Sequence, residues 1–349
     1  MTVVALLGAG IFAKEEHLPA IEAAEGLTLG AVYSRSQASA EALAAAATKT
    51  ADGKSADVYY DSPATAGRGL DDLLGRSDIA AVVVALPILV QPAVITKALA
   101  AGKHVLSEKP IAKDVAAAKE LINTRPGKGI WAVAENFRFL EVIAYAADRV
   151  RQIGGKVTTF NMHLFTLIGD DDKFFNTEWR KVPEYQGGFL LDGGVHFVAG
   201  LRHMLAATEE KHEIQRVTAA TTLLQEKLAP VDTVNAVFVT NHKAVGTFCV
   251  SFGMEHKGGF QIEVVTSNGS VTMTPTDVTT KWVEGGEKKE DRKEFSFSAG
   301  VKPEVAAFAA SLPSGQVDPR QKPEEALQDL AVLEAMLTSA DKGGEPIIL

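Results

Sequence analysis

The chain has 349 residues, 46% of them hydrophobic, which is enough for the cores of two ordinary domains and too apolar for a disordered chain. Its net charge of −9, its pI of about 5.5 and the absence of a long basic run exclude a nucleic-acid binder, which needs clustered Lys and Arg against phosphate. A single cysteine, Cys249, excludes an intramolecular disulfide and fits a reducing, cytoplasmic setting.

The opening "MTVVALLGAGIFA" lacks the positive leader of a secretory signal and suits a buried strand. The longest apolar run, residues 79–90, is too short to span a bilayer and is interrupted by Pro87, so no membrane partner is expected. From the start, β-rich runs alternate with helical stretches. Strands are predicted at 2–8, 27–34, 57–61, 79–87, around "HVLSEK" and at 129–135. Helices are predicted near 11–25, 37–47, 69–75, 91–101 and 113–123. Strands apolar on both faces and spaced by helices indicate a parallel sheet covered on each side.

After about residue 155 the pattern changes to successive strands, from "KVTTFNMHLF" through "VTTKWVEG" to "KEFSFS". The breaks "NHK", "SNGS" and "EGGEKKEDRK" suit hairpin connections of increasing length. Helices near 139–153, 194–206, 303–311 and 323–341 should cover one face of this sheet. The expected fold class is an α/β Rossmann domain over 1–125, followed by an α+β domain with a large, mostly antiparallel open sheet over 126–349. The uncovered face is expected to join copies into a homodimer or homotetramer.

"GAGIFA", residues 8–13, follows a strand and opens a helix, the context of a dinucleotide fingerprint with Ala13 in the third small position. Gly8 permits the tight turn, Gly10 admits a pyrophosphate, and the helix start at Ile11 and Phe12 offers free N–H groups to the anion. The second strand ends in Ser34 and Arg35, with no acid to hold a free 2′-hydroxyl. A guanidinium and a hydroxyl suit a 2′-phosphate, so NADP(H) is expected over NAD(H). "LSEKP" places Glu108 and Lys109 at the C-terminal end of the fifth strand, where open α/β sheets bind ligands. By spacing alone the two are equally a surface ion pair. In "QGGFLLDGGVHF", Asp192 and His196 are four apart, a spacing that suits proton exchange on a helix starting near Gly193. Local evidence alone favours the plainer alternative, an Asp192 N-cap and a core His196. No metal site is expected.

"GAGIFA", "SEKPIA" and "TEWRKVPEYQGGFLLDGGVHF", in this order, resemble the Gfo/Idh/MocA oxidoreductase family over nearly the whole chain. Within it, "GIFAKEEHLPA" and "WRKVPEYQGGFLLDGGVH" are most similar to fungal members of the yeast NADPH-dependent type. The resemblance implies that Lys109 binds the reacting oxygen, that His196 is the acid/base, and that Asp192 positions substrate or histidine. It also implies cofactor contacts by Leu86, Pro87, Asn136, Trp179 and Arg180, while Glu108, from its place at the strand end, is read as an orienter of Lys109 or a cofactor contact. Gln91 departs from the pattern, since many members carry a histidine after that proline. The activity implied is hydride transfer between nicotinamide and a carbonyl or hydroxyl carbon of a sugar, polyol or small aldehyde or ketone. Two other activities suit the same fold: a catalytically silent NADP sensor, and a glycoside hydrolase that recycles its nicotinamide.

Overall fold

A computed structural model describes residues 1–49, 53–62 and 66–349. The chain divides into two compact units, Met1–Glu135 with Val301–Leu327, and Asn136–Gly300 with Gln328–Leu349.

The first unit is built on β1 (Thr2–Leu7), β2 (Leu27–Ser34), β3 (Asp57–Tyr60), β4 (Ala81–Val84), β5 (His104–Glu108) and β6 (Trp131–Ala134). They form one parallel sheet in the order β3-β2-β1-β4-β5-β6. The helices α1 (Leu18–Ala23), α2 (Gln37–Ala46), α3 (Leu70–Leu74), α4 (Gln91–Ala100) and α5 (Val115–Thr124) lie between the strands in sequence. With helices on both faces the central strands carry no polar alternation, and Val4–Leu7 and Ala81–Val84 are fully buried. Strand order reverses between β1 and β4, which makes the C-terminal ends of these strands the ligand-binding edge. β6 pairs with β5, and Trp131 Nε1 donates to Ser107 Oγ at 3.0 Å, so the sheet extends past residue 125, the boundary expected from sequence. The helical segment after β1 runs over 11–23 and contains a π-turn, Ala13–His17.

The second unit carries α6 (Glu141–Ile153), α7 (Glu178–Lys181) and α8 (Gly188–Ala206). Its strands are β7 (Val157–Phe165), β8 (Ile214–Thr222), β9 (Thr233–Thr240), β10 (Val245–Ser251), β11 (Gly259–Thr266), β12 (Gly269–Met273), β13 (Asp277–Glu284) and β14 (Glu287–Glu294). Later in the chain, α9 (Val301–Ser314) belongs to the first unit, α10 (Pro323–Asp341) crosses the division, and β15 (Ile347–Ile348) returns to the second. The nine strands form one sheet in the order β14-β13-β12-β11-β7-β10-β9-β8-β15. Its one parallel pair, β7 with β10, arises because the first strand inserts between two later hairpins.

One face buries Phe160, Met162, Phe238, Phe248, Val250, Ile262 and Val264, and α6 and α8 pack against β11, β12 and β13. The other face presents Asn161, His163, Thr247 and Cys249 with Val237 and Val245, the last two 44% and 48% exposed. Two sequence expectations are corrected here. "EGGEKKEDRK" is no loop: Gly285 and Gly286, both at positive φ, make a two-residue turn, and the all-charged Glu287–Glu294 is a strand. The strand expected at "KEFSFS" instead ends at Glu294, and Phe297 is 82% exposed.

Candidate active site

In the first unit, Gly8 follows β1 at φ +117, and its N–H donates to Tyr33 O of β2 at 2.8 Å. A Cβ here would lie 2.1 Å from Ala85 O, so only glycine lets the loops after β1 and β4 meet this closely. Gly10 is exposed, with open space where its Cβ would stand, and helical structure begins at Ile11. Ile11 and Phe12, both half-buried, form the first turn, whose N-terminal end faces the same edge of the sheet. Ser34 ends β2 half-buried and Arg35 beside it is exposed. Leu86 and Pro87 follow β4 half-buried, and Pro87 O accepts from Val90 N and Gln91 N. Glu108 ends β5 with Lys109 next to it, both half-buried. These residues all follow C-terminal strand ends of one parallel sheet. A narrow turn, an open glycine, a helix start and a cationic tip form a set that fits a dinucleotide.

Three neighbours there lie outside the expected contact set: Asp61 and His17 went unread in the sequence, and Gln91 stood only as a departure from the family pattern. Asp61, just past β3, accepts from the Tyr33 phenol, whose pKa is pushed up by burial and then by this bond. Strand pairing of Ser34 with Tyr60 is what brings this acid near the β2 tip. Gln91 is buried at the start of α4 with Oε1 lacking a hydrogen-bond partner. The third is His17, whose Nε2 lies 2.6 Å from Glu108 Oε1.

In the second unit, α8 begins at Gly188, a turn and a half before the start expected from the Gly193-Gly194 doublet. Those glycines are interior, where Cβ atoms would meet Phe252 Cζ at 2.8 Å and Leu333 Cδ1 at 2.6 Å. Asp192 is therefore no N-cap; it shares a helical face with His196, four residues on. Asp192 Oδ2 accepts from Arg180 Nε at 2.7 Å, and the guanidinium lies 4.0 Å from the centroid of the Trp179 ring. Arg180 thus joins Trp179 and Asp192 in one cluster. His196 stacks on Phe137, with ring centroids 4.7 Å apart and planes 17° apart. Asn136 Nδ2 donates to Ala299 O at 2.7 Å, tying the 3₁₀ turn that starts there to the segment after β14. The sequence reading also missed Tyr185. Its ring packs 6.2 Å from Trp179, and its buried hydroxyl has no hydrogen-bond partner. Burial, and then the Asp192 charge, push that phenol up.

The family model for the oxidoreductase NAD-binding Rossmann fold of Gfo/Idh/MocA proteins matches residues 2–134, and the model of their C-terminal α/β domain matches 151–349. The chain belongs to the Gfo/Idh/MocA oxidoreductase family. It is an NAD(P)-dependent oxidoreductase of that type. It is 50% identical over 344 residues to dehydrogenase FPY6 of Fusarium mangiferae, covering 97% of each chain. It is also similar to a dTDP-3,4-didehydro-2,6-dideoxy-alpha-D-glucose 3-reductase of Actinomadura kijaniata, 30% identical over 78% of this chain and 80% of that one. An oxidoreductase structure from Thermotoga maritima superposes with a TM-score of 0.83 at 28% identity, covering 99% of this chain and 98% of that one. Among the described residues no helix is long and apolar enough to cross a membrane.

Proposed function

We propose that this oxidoreductase uses NADP(H) to interconvert a carbonyl and a hydroxyl carbon of a sugar, polyol or small aldehyde or ketone. The observation that carries the reading is Lys109, a half-buried ammonium at the C-terminal end of β5 on the sheet edge that also bears the Gly8–Gly10 turn. When bound, the dinucleotide supplies or accepts the hydride. Lys109 then stabilises negative charge developing on the substrate oxygen, and His196 delivers or removes that oxygen's proton. Asp192, held by Arg180, stands on the helical face of His196, while Phe137 stacking fixes the imidazole plane. Ser34 and Arg35 favour a 2′-phosphate, and the sugar 3-reductase relative supports a sugar carbonyl.

The test is loss of NADPH absorbance against a panel of sugar and small carbonyl compounds, run in parallel on Lys109→Ala. Turnover should vanish in that variant while NADPH still binds; undiminished turnover sinks the mechanism. Arg35→Ala should lower the ratio of NADPH to NADH affinity, and an unchanged ratio overturns the NADP preference. The open sheet face, with Val237 and Val245, is read as a homodimer or homotetramer contact. Light scattering on wild type and Val245→Lys tests it, and a monomeric wild type refutes it.

A further inference from the structure

One buried pair in the first unit takes no part in the chemistry above. His17 is wholly buried, with Nε2 2.6 Å from Glu108 Oε1 across 91 residues of sequence. His17 closes the π-turn in the fingerprint helix, and Glu108 closes β5. The strands that precede them, β1 and β5, flank β4 in the sheet. The imidazole is also held edge-on by Phe12, with centroids 5.4 Å apart. Its Nδ1, equally buried, has no hydrogen-bond partner.

That orphaned nitrogen is informative. A phenylalanine at this position would fill the space without burying an unsatisfied polar atom, so the imidazole costs stability here. What it provides in return is the contact through Nε2. The π-turn contributes as well, because one extra residue in a helical turn rotates the following side chains by roughly 100°. It is this turn that sets His17, and not a neighbour, against the carboxylate. Glu108 is thereby gripped at one oxygen while its side chain keeps 13% of its surface open.

We propose that His17 is a positioning residue for the dinucleotide. It fixes the Glu108 carboxylate through Oε1, so that Oε2 stands ready to accept from a ribose hydroxyl next to the nicotinamide. A carboxylate held in this way loses little rotamer freedom when the ligand arrives. The inference rests on the dinucleotide reading given under Proposed function.

The experiment is calorimetric titration of the full chain with NADPH and, separately, with adenosine 2′,5′-bisphosphate, which lacks the nicotinamide ribose. His17→Phe should weaken NADPH about tenfold, the loss of one hydrogen bond to a charged group, and leave the bisphosphate unchanged. Glu108→Gln should weaken NADPH similarly, and the double variant should be no weaker than Glu108→Gln. His17→Gln, whose amide can place an N–H where Nε2 sits, should recover NADPH affinity. Equal weakening of both ligands, unchanged NADPH affinity in His17→Phe, or additive losses in the double variant each overturn the proposal. If His17→Phe does not fold, His17→Asn, too short to reach Glu108, takes its place in the cycle with the same outcomes. A wild type that binds neither dinucleotide refutes the reading under Proposed function, and the inference falls with it. A wild type that binds NADPH with additive losses refutes the inference alone.

Discussion

The Arg180–Asp192 pair gives the sharpest separation of folding from chemistry. The two side chains are only 16% and 6% exposed, their closest N–O distance is 2.7 Å, and Trp179 covers one face of the guanidinium. Asp192→Ala would leave a largely buried cation whose other hydrogen bonds, to Phe174 O and Thr177 Oγ1, are long at 3.4 Å. Such an uncompensated charge costs about 3–5 kcal/mol, and the residual exposure of Arg180 places this case near 3. At about 2–4 °C per kcal/mol the melting temperature should fall by roughly 6–12 °C. Replacing both partners by apolar residues, Asp192→Leu with Arg180→Met, should recover stability to within about 1 kcal/mol of wild type, because no buried charge is then left alone. Turnover should stay lost in the double variant. Thermal unfolding followed by tryptophan fluorescence measures all three proteins. A double variant as unstable as Asp192→Ala would refute the coupling.

Gly8→Ala should destabilise by at least roughly 2 kcal/mol and weaken dinucleotide binding, since a side chain at φ +117 collides with Ala85 O. Denaturant unfolding with a parallel NADPH titration checks both effects, and a wild-type midpoint contradicts the turn argument. Tyr185→Phe removes a buried hydroxyl that has no partner, so stability should hold or rise by about 1 kcal/mol, whereas a clear fall in melting temperature would show that the hydroxyl is bonded. Burial holds His104, His163 and His212 below the ordinary histidine value. The unfolded chain therefore takes up more protons as pH falls below about 6.5, and stability present above that value is lost on acidification. Melting temperature should be level between about pH 8 and 7 and decline toward about 5, with a shallower decline in His212→Asn. A curve flat over the whole interval contradicts the assignment.

Most of the parallel sheet is legible in the sequence because its strands are continuous apolar runs between helices, and "GAGIFA" and "SEKP" fall at their ends. Three features were hidden because their cause is tertiary. Gly193 and Gly194 look like a helix start, yet they lie inside α8 because Phe252 and Leu333 press against them. β14 has no apolar residue to mark it and is defined only by its pairing with β13. The π-turn leaves no periodicity to detect over five residues. The proposed acid/base pair was half legible: the spacing of Asp192 and His196 is in the sequence, whereas Arg180 and Phe137, which hold them, are brought there by folding.

The charged hairpin has a consequence for how copies of this protein can meet. A sheet end offers unpaired N–H and C=O groups to any passing strand, the route by which β proteins polymerise sideways. At one end stands β14, every residue charged, and at the other β15 contributes only two residues. A neighbouring chain that docked against β14 would have to desolvate a row of carboxylates, ammoniums and a guanidinium for each new backbone bond. The charged edge thus keeps copies from splicing through this end of the sheet. A variant that neutralised β14 should form fibrous aggregates while its nucleotide-binding half remained intact.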